Sequence, residues 1–341
     1  MDFETFKKYV EENIKDFLPE QYEDATVSIQ SVTKNNDAQL DGLIIKTADS
    51  NIAPSIYLNQ FFELYQDGKN LEDIMYHIAD VRVEHEMESG FDMRVLLDFE
   101  QMKDRIICKL VNAGMNAEYL SDKPHVVVDG ELAICYHINL GDTPDGSGTM
   151  STPVTNALME RYRISADELH EIAMKNTPEI LPPKIADLRT ILKGMAGIED
   201  DLIDGLALGE LPTGAAMYVV TNEQNMNGAV NVFFPEVMDQ IGEVLQSDQV
   251  YVLPSSIHEM IIIPDNGAMN YRELEAMVQE INGSMVAESE VLSNHVMYLY
   301  PKEHKLIRCD VEEARQLSPE KEQTVKPKAA PKRNNMKSPK L

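Results

Sequence analysis

No stretch of the chain offers the roughly 18 consecutive apolar residues that a membrane-spanning helix requires. The first residues, MDFETFKKYVEENIKDF, lack a basic start followed by an apolar run, so they do not read as a secretory signal. Cysteine is scarce. Cys108, Cys135 and Cys309 are odd in number, far apart and in no CxxC spacing, which excludes a disulfide framework and a zinc knuckle. Cys108 and Cys135 lie in apolar runs, where a thiol packs as a small hydrophobe, and a reducing cytoplasm suits them. Positive charge is also scarce: 30 Lys and Arg stand against 58 Asp and Glu, for a net charge of -28. Such a body repels nucleic-acid backbones and anionic membranes, and it shows no basic stripe.

Several motifs are missing as well. The loop from Asp145 to Gly148 is short and Gly-rich but matches neither GxxxxGK[ST] nor GxGxxG, so no phosphate loop, dinucleotide site or other cofactor is expected. Zinc on a helix wants histidines four apart; the fourth residue after His77 is Val81, and after His170 it is Met174. His77, His85, His170 and His295 therefore read as solvated positions, and no metal is expected. There is no GxSxG elbow and no repeat of fixed period.

What is present is ample apolar material, 43% of 341 residues, enough for two or three packed units. Phe3, Phe6, Val10, Ile14 and Phe17 fall on one face of a helix over residues 2–17. Strands are expected at 26–33 and 40–47 across the turn Lys34-Asn35-Asn36-Asp37, then a helix over 71–87. Residues 100–112 fit helix or strand. Val126 to Val128 and Leu132 to Leu140 flank Asp129-Gly130, a tight-hairpin signal. Ser165 to Glu168 is a capping box opening a helix that Asn176-Thr177-Pro178 should end. Ile185, Leu188, Ile191 and Leu192 suggest a further short helix. After a strand at 217–221 and a turn at 222–228, Pro235 suits the first turn of a helix. Strands at 250–253 and 257–263 are separated by Pro254-Ser255-Ser256. A capped helix from Asn270 and a hairpin across Lys302-Glu303-His304 complete the pattern. Strands and helices mix without strict βαβ alternation. The expected class is α+β, with helices packed on mixed, largely antiparallel sheets. The expected units are 1–90, 91–205 and 206–317, followed by a disordered basic tail at 318–341 that carries a net +5.

QLDGLII at 39–45, Asn112 with Asn116, Asn176-Thr177-Pro178, and LPSSIHE at 253–259 together carry a resemblance. Over roughly residues 1–310 the chain resembles an uncharacterised family of gut Clostridia proteins, domain of unknown function 5688. The resemblance implies a cytoplasmic bacterial origin and implies no activity, so it transfers no catalytic residue.

The compact cluster of catalytic residue types is Ser255, Ser256, His258 and Glu259. A hydrolase would use Ser255 or Ser256 as nucleophile, His258 as base and Glu259 as acid or orienter. On a regular strand, however, His258 and Glu259 point to opposite faces. Pro254-Ser255-Ser256 reads more simply as a turn whose hydroxyls satisfy backbone groups. Asn112, Asn116, Asn176 and Asn222 read as caps or turn formers. The tail, with Lys326, Lys328, Lys332, Arg333, Lys337 and Lys340, could contact nucleic acid, acidic protein or a membrane surface; a solvated end is the plainer expectation. The expected function is that of a cytoplasmic bacterial binding or regulatory protein without catalysis, with a protein partner as one possibility. The alternative is the Ser255/Ser256-His258-Glu259 hydrolase.

Overall fold

The computed structural model describes residues 1–47, 53–85, 93–142, 149–191 and 216–317. Helices pack against three antiparallel sheets, an α+β architecture. No helix among the described residues is long and apolar enough to cross a membrane.

The first part of the chain builds its own core. Helix α1 (Phe3–Asn13) opens where the Asp2 side chain accepts the Thr5 N–H at 2.8 Å. It buries Phe6 and Val10, and Ile14 follows in a 3₁₀ turn. Strands β1 (Thr26–Thr33) and β2 (Gln39–Lys46) pair antiparallel, and β3 (Ser55–Tyr57) adds to β2. The β1–β2 turn works because Asn36 and Asp37 accept positive φ of 58° and 50°, which Asn and Asp tolerate better than most residues. Helices α2 (Leu58–Gln66) and α3 (Leu71–Glu84) close the core with Phe61, Ile74 and Ile78.

The second sheet is centred on β6 (Leu132–Asp142). After the short helix α4 (Phe99–Met102), β4 (Ile106–Asn112) pairs along one edge of β6, which resolves the ambiguous stretch 100–112 into both elements. A one-turn helix, α5 (Ala117–Leu120), precedes β5 (His125–Val128). β5 and β7 (Thr149–Pro153) share the other edge of β6 end to end. Asp129 and Gly130 join β5 to β6 with φ of 51° and 75°, the tight hairpin expected. Helix α6 (Asn156–Tyr162) leads to α7 (Ala166–Ile180), which opens on the Ser165/Glu168 capping box. Asn176-Thr177-Pro178 does not end α7. The helix continues to Ile180, because tertiary bonds hold its last turn on β4. The Thr177 hydroxyl donates to the Ala173 carbonyl at 2.6 Å and accepts the Cys108 N–H at 2.8 Å. The Asn176 amide donates to the Lys103 carbonyl at 2.7 Å.

The stretch expected as helix from Ile185 begins as β8 (Pro183–Asp187), paired antiparallel to β9 (Tyr218–Asn222), and turns helical only at 188–191; Leu192 lies outside the described residues. A short apolar run obeys whichever partner is available, and here β9 offers an open edge. The third sheet runs β13-β12-β10-β11-β9-β8. Helix α8 (Pro235–Leu245) carries its proline in the first turn, as expected. Pro254-Ser255-Ser256 is not the turn between β10 (Val250–Ser256) and β11 (Glu259–Pro264). It lies inside β10, at a register shift between Pro254 and Ser256, and Ile257-His258 makes the corner. A bulge is where a strand accommodates proline. Helix α9 (Tyr271–Ser284), capped by Asn270, covers one face of this sheet through Leu274 and Val278. β12 (Met297–Tyr300), β13 (Lys305–Arg308) and α10 (Cys309–Leu317) finish the chain described.

The largest apolar cluster runs from Leu96 to Leu299 and draws on the second and third sheets together. The unit boundaries expected near 90 and 205 lie outside the described residues, as does the tail at 318–341.

Candidate functional site

The residues of LPSSIHE form a clasp. Ser256 is buried, and its Oγ accepts the backbone N–H of His258 at 3.0 Å. Nδ1 of His258 accepts the Asn227 N–H at 3.1 Å, which puts the ring proton on Nε2, 3.4 Å from Oε1 of Glu290. The His258 carbonyl accepts both the Thr221 hydroxyl at 2.8 Å and the Gly228 N–H at 2.9 Å. Gly228 has no room for a side chain: a Cβ there would lie 2.7 Å from the Asn222 nitrogen and 2.8 Å from the His258 oxygen. Ser255 is half-buried on β10, and Glu259 stands opposite Ser256 in the ladder. A general base needs a free lone pair facing its nucleophile. Here the lone pair of His258 is taken by a backbone amide, and neither serine hydroxyl bonds to the ring.

Asn112 and Asn116 form a junction between all three sheets' surroundings. Asn112 donates to the Leu292 carbonyl at 3.0 Å. Asn116, fully buried, donates to Oδ1 of Asn36 at 2.9 Å and accepts the Asn36 N–H at 2.8 Å. The Asn36 amide reaches the Glu288 and Val291 carbonyls at 2.7 and 2.8 Å. Next to it, the Asp37 carboxylate accepts the N–H groups of Glu118 and Tyr119 at 2.9 and 2.8 Å, so the β1–β2 turn caps α5 from another part of the chain.

An unforeseen cluster lies on the face of the second sheet turned away from the main core. Alternation along the strands puts Lys109, Cys135, His137 and Ser151 on that face, and the register sets Lys109 beside Cys135. Nζ of Lys109 donates to Oγ of Ser151 at 2.9 Å. Oγ of Ser151 is 3.3 Å from Nδ1 of His137, and Nε2 of His137 is 3.0 Å from the Tyr119 hydroxyl. Nζ of Lys123 sits 4.3 Å from the centre of the Tyr119 ring. Lys34, from the β1–β2 turn, holds its ammonium 4.8 Å from the centre of the Tyr57 ring, and its charge reaches both Lys109 and His137.

The electrostatics of this recess are one-sided. Burial, with help from Lys34, pulls Lys109 down to about 8, still protonated at neutral pH. Burial and the ammonium groups of Lys109, Lys123 and Lys34 push His137 well below its ordinary 6.5, so its ring is neutral. Burial raises Cys135 to about 11 and holds it as a thiol. Among the described residues, Asp122 is the carboxylate paired with any of the three lysines, 2.7 Å from Lys123. The signal was faint but present in sequence: Lys109 interrupts the apolar run around Ile107 and Leu110, and Cys135 and His137 alternate within another. What was hidden is that Lys34, some 75 positions earlier, faces the same place.

An open cavity of about 710 Å³ elsewhere is lined by Tyr251, Tyr271, Arg272, Tyr298 and Glu313. There Arg272 lies 2.6 Å from Glu313, which also accepts the Tyr271 hydroxyl at 2.7 Å. No group of three or more His, Cys, Asp or Glu side chains among the described residues could hold a metal.

Residues 3–302 match the sequence model of a family described as a family of unknown function, DUF5688. The chain belongs to this family. No curated protein and no solved structure matches the chain significantly. The segments by which the chain resembled DUF5688 are ones that hold the fold: β2, the Asn112/Asn116 junction, the α7 terminus and the β10–β11 clasp. The recess residues fall within the part of the chain that the DUF5688 match covers.

Proposed function

We propose that the chain is a binding protein without catalysis, at work in a bacterial cytoplasm, and that its ligand is held in the recess around Lys109 and His137. The observation that carries this reading is the convergence there of cations from two parts of the chain: Lys34 from the β1–β2 turn, and Lys109 and Lys123 from the second sheet and its cover. In a chain with about twice as many acids as bases, cations gathered with a single paired carboxylate among the described residues are costly to keep unless something offsets their repulsion.

The same geometry favours binding over turnover. Ser151 does lie within reach of a histidine, but three ammonium groups oppose any proton on His137, and a base that cannot hold the proton it removes is a poor catalyst. The three buried thiols suit a reducing compartment.

The test is mass spectrometry of small molecules released from the protein purified from its own host. Wild type is expected to carry a ligand that Lys109→Met does not. The same preparations are expected to hydrolyse p-nitrophenyl acetate no faster than His258→Ala. Ester turnover lost in Ser151→Ala, or in Ser255→Ala, would replace this reading with a hydrolase.

A further inference from the structure

The protonation of the recess follows from its own hydrogen bonds. Lys109, as an ammonium, can only donate, so Oγ of Ser151 accepts from it. With Ser151 donating to Nδ1 of His137, the ring proton lies on Nε2, faces the Tyr119 oxygen and frees the Tyr119 hydrogen. With the ring proton on Nδ1, the Tyr119 hydroxyl donates to Nε2 and the Ser151 hydrogen is freed. Three hydrogens serve two contacts in either tautomer, so one hydroxyl hydrogen is left without an acceptor among the described residues.

Lys123 stands over the Tyr119 ring, 4.3 Å from its centre, and the charge of Lys34 reaches Lys109 and His137. Among the described residues neither Lys34 nor Lys109 has a carboxylate partner, so after the Lys123–Asp122 pair is discounted two positive charges remain unmatched there. The donors are all N–H or O–H groups, and the two aromatic rings nearby, Tyr57 and Tyr119, already lie under lysine ammoniums. The position of Tyr119 is also set from outside its own sheet, because Asp37 holds its backbone N–H.

Resting on the binding reading above, we propose that the ligand is a multiply charged oxyanion, of the phosphate or dicarboxylate kind, bridging Lys34, Lys109, Lys123 and the Tyr119 hydroxyl. A single carboxylate would leave one ammonium uncompensated. A group of two charges with several oxygens compensates both and gives each donor its own acceptor. Because Lys34 belongs to the β1–β2 turn, the anion ties that turn to the second sheet.

Isothermal titration of the full chain at neutral pH with inorganic phosphate, sulfate, malonate and acetate tests this. Phosphate, sulfate or malonate is expected to bind at least about tenfold more tightly than acetate, with the preferred one separating tetrahedral from dicarboxylate ligands. Lys109→Met and Lys34→Met are each expected to weaken that binding about tenfold, the effect of losing one charge-assisted bond. Tyr119→Phe is expected to weaken it a few-fold with the melting temperature of the free protein little changed, which guards against misfolding of the lysine variants. Acetate binding as well as the divalent anions, or lysine variants that bind unchanged, would overturn the oxyanion assignment. A neutral ligand released from wild type but not from Lys109→Met would sink the assignment while leaving the binding reading intact. No anion binding together with no released ligand would end both.

Discussion

The β10–β11 clasp and the recess each set a histidine near a serine, and they use it in opposite ways. In the clasp, Ser256 and His258 turn their polar atoms toward backbone: Ser256 takes an N–H, the ring takes another, and the His258 carbonyl takes two more donors. Apart from Nε2 of His258, which faces Glu290, every bond involves the backbone. In the recess, side chain bonds to side chain from Lys109 through Ser151 and His137 to Tyr119, and the series leaves one hydroxyl hydrogen over. Polar groups that satisfy backbone hold a fold, whereas polar groups that satisfy one another at the cost of repulsion leave something for a ligand to complete. The comparison predicts that substitutions in the two regions change stability with opposite sign.

The largest effect is expected at Gly228. Its missing Cβ lets Asn222, Thr221 and the His258 carbonyl close around it, and Gly228→Ala should lower stability by roughly 2–4 kcal/mol in a urea titration, with anion binding per folded molecule unchanged. If Gly228→Ala is neutral, the clasp is looser than its distances indicate. His258→Ala comes next. It strands the Asn227 N–H and should cost about 1–2 kcal/mol by the same titration. A loss of anion binding without a loss of stability would erase the distinction between the regions.

In the recess the sign reverses. Burial disfavours the Lys109 charge, so Lys109→Met should raise the stability of the free protein by about 1 kcal/mol while removing the anion-dependent rise in melting temperature. A destabilised Lys109→Met would mean that Lys109 serves the fold after all. The smallest effect is one of pH. The native ring of His137 refuses the proton that the unfolded chain takes up near 6.5, so its contribution is full above that pH and lost as the pH falls below it. His137→Gln should flatten the acid side of the stability profile by up to about 1 kcal/mol between neutrality and pH 6. An unchanged slope would show that His137 protonates in the native state.

Legibility followed the range of the interaction. The α1 face, the Ser165/Glu168 capping box, the Asp129-Gly130 hairpin, the first-turn proline of α8 and the turn at Asn36-Asp37 depend on residues within a few positions, and all are readable in the chain. Pro178 misleads because its helix is held by bonds to Lys103 and Cys108, some 70 positions earlier. Pro254 misleads because the bulge that accommodates it exists only once β10 has paired with β11. Ser255, Ser256, His258 and Glu259 attract attention because they are contiguous, yet contiguity says nothing about where a lone pair points.

By itself, then, the sequence determined an acidic α+β chain with three packing thiols, its local turns and caps, and its membership of a family by segments that hold the fold. The tertiary structure alone decided that Lys34, Lys109, Lys123 and His137 share one recess. Strand register and the docking of the β1–β2 turn on α5 bring them together, and both depend on partners distant in the chain. The field of each ammonium falls on whatever lies nearby in space, so the chemistry of the recess came into being only when the chain closed.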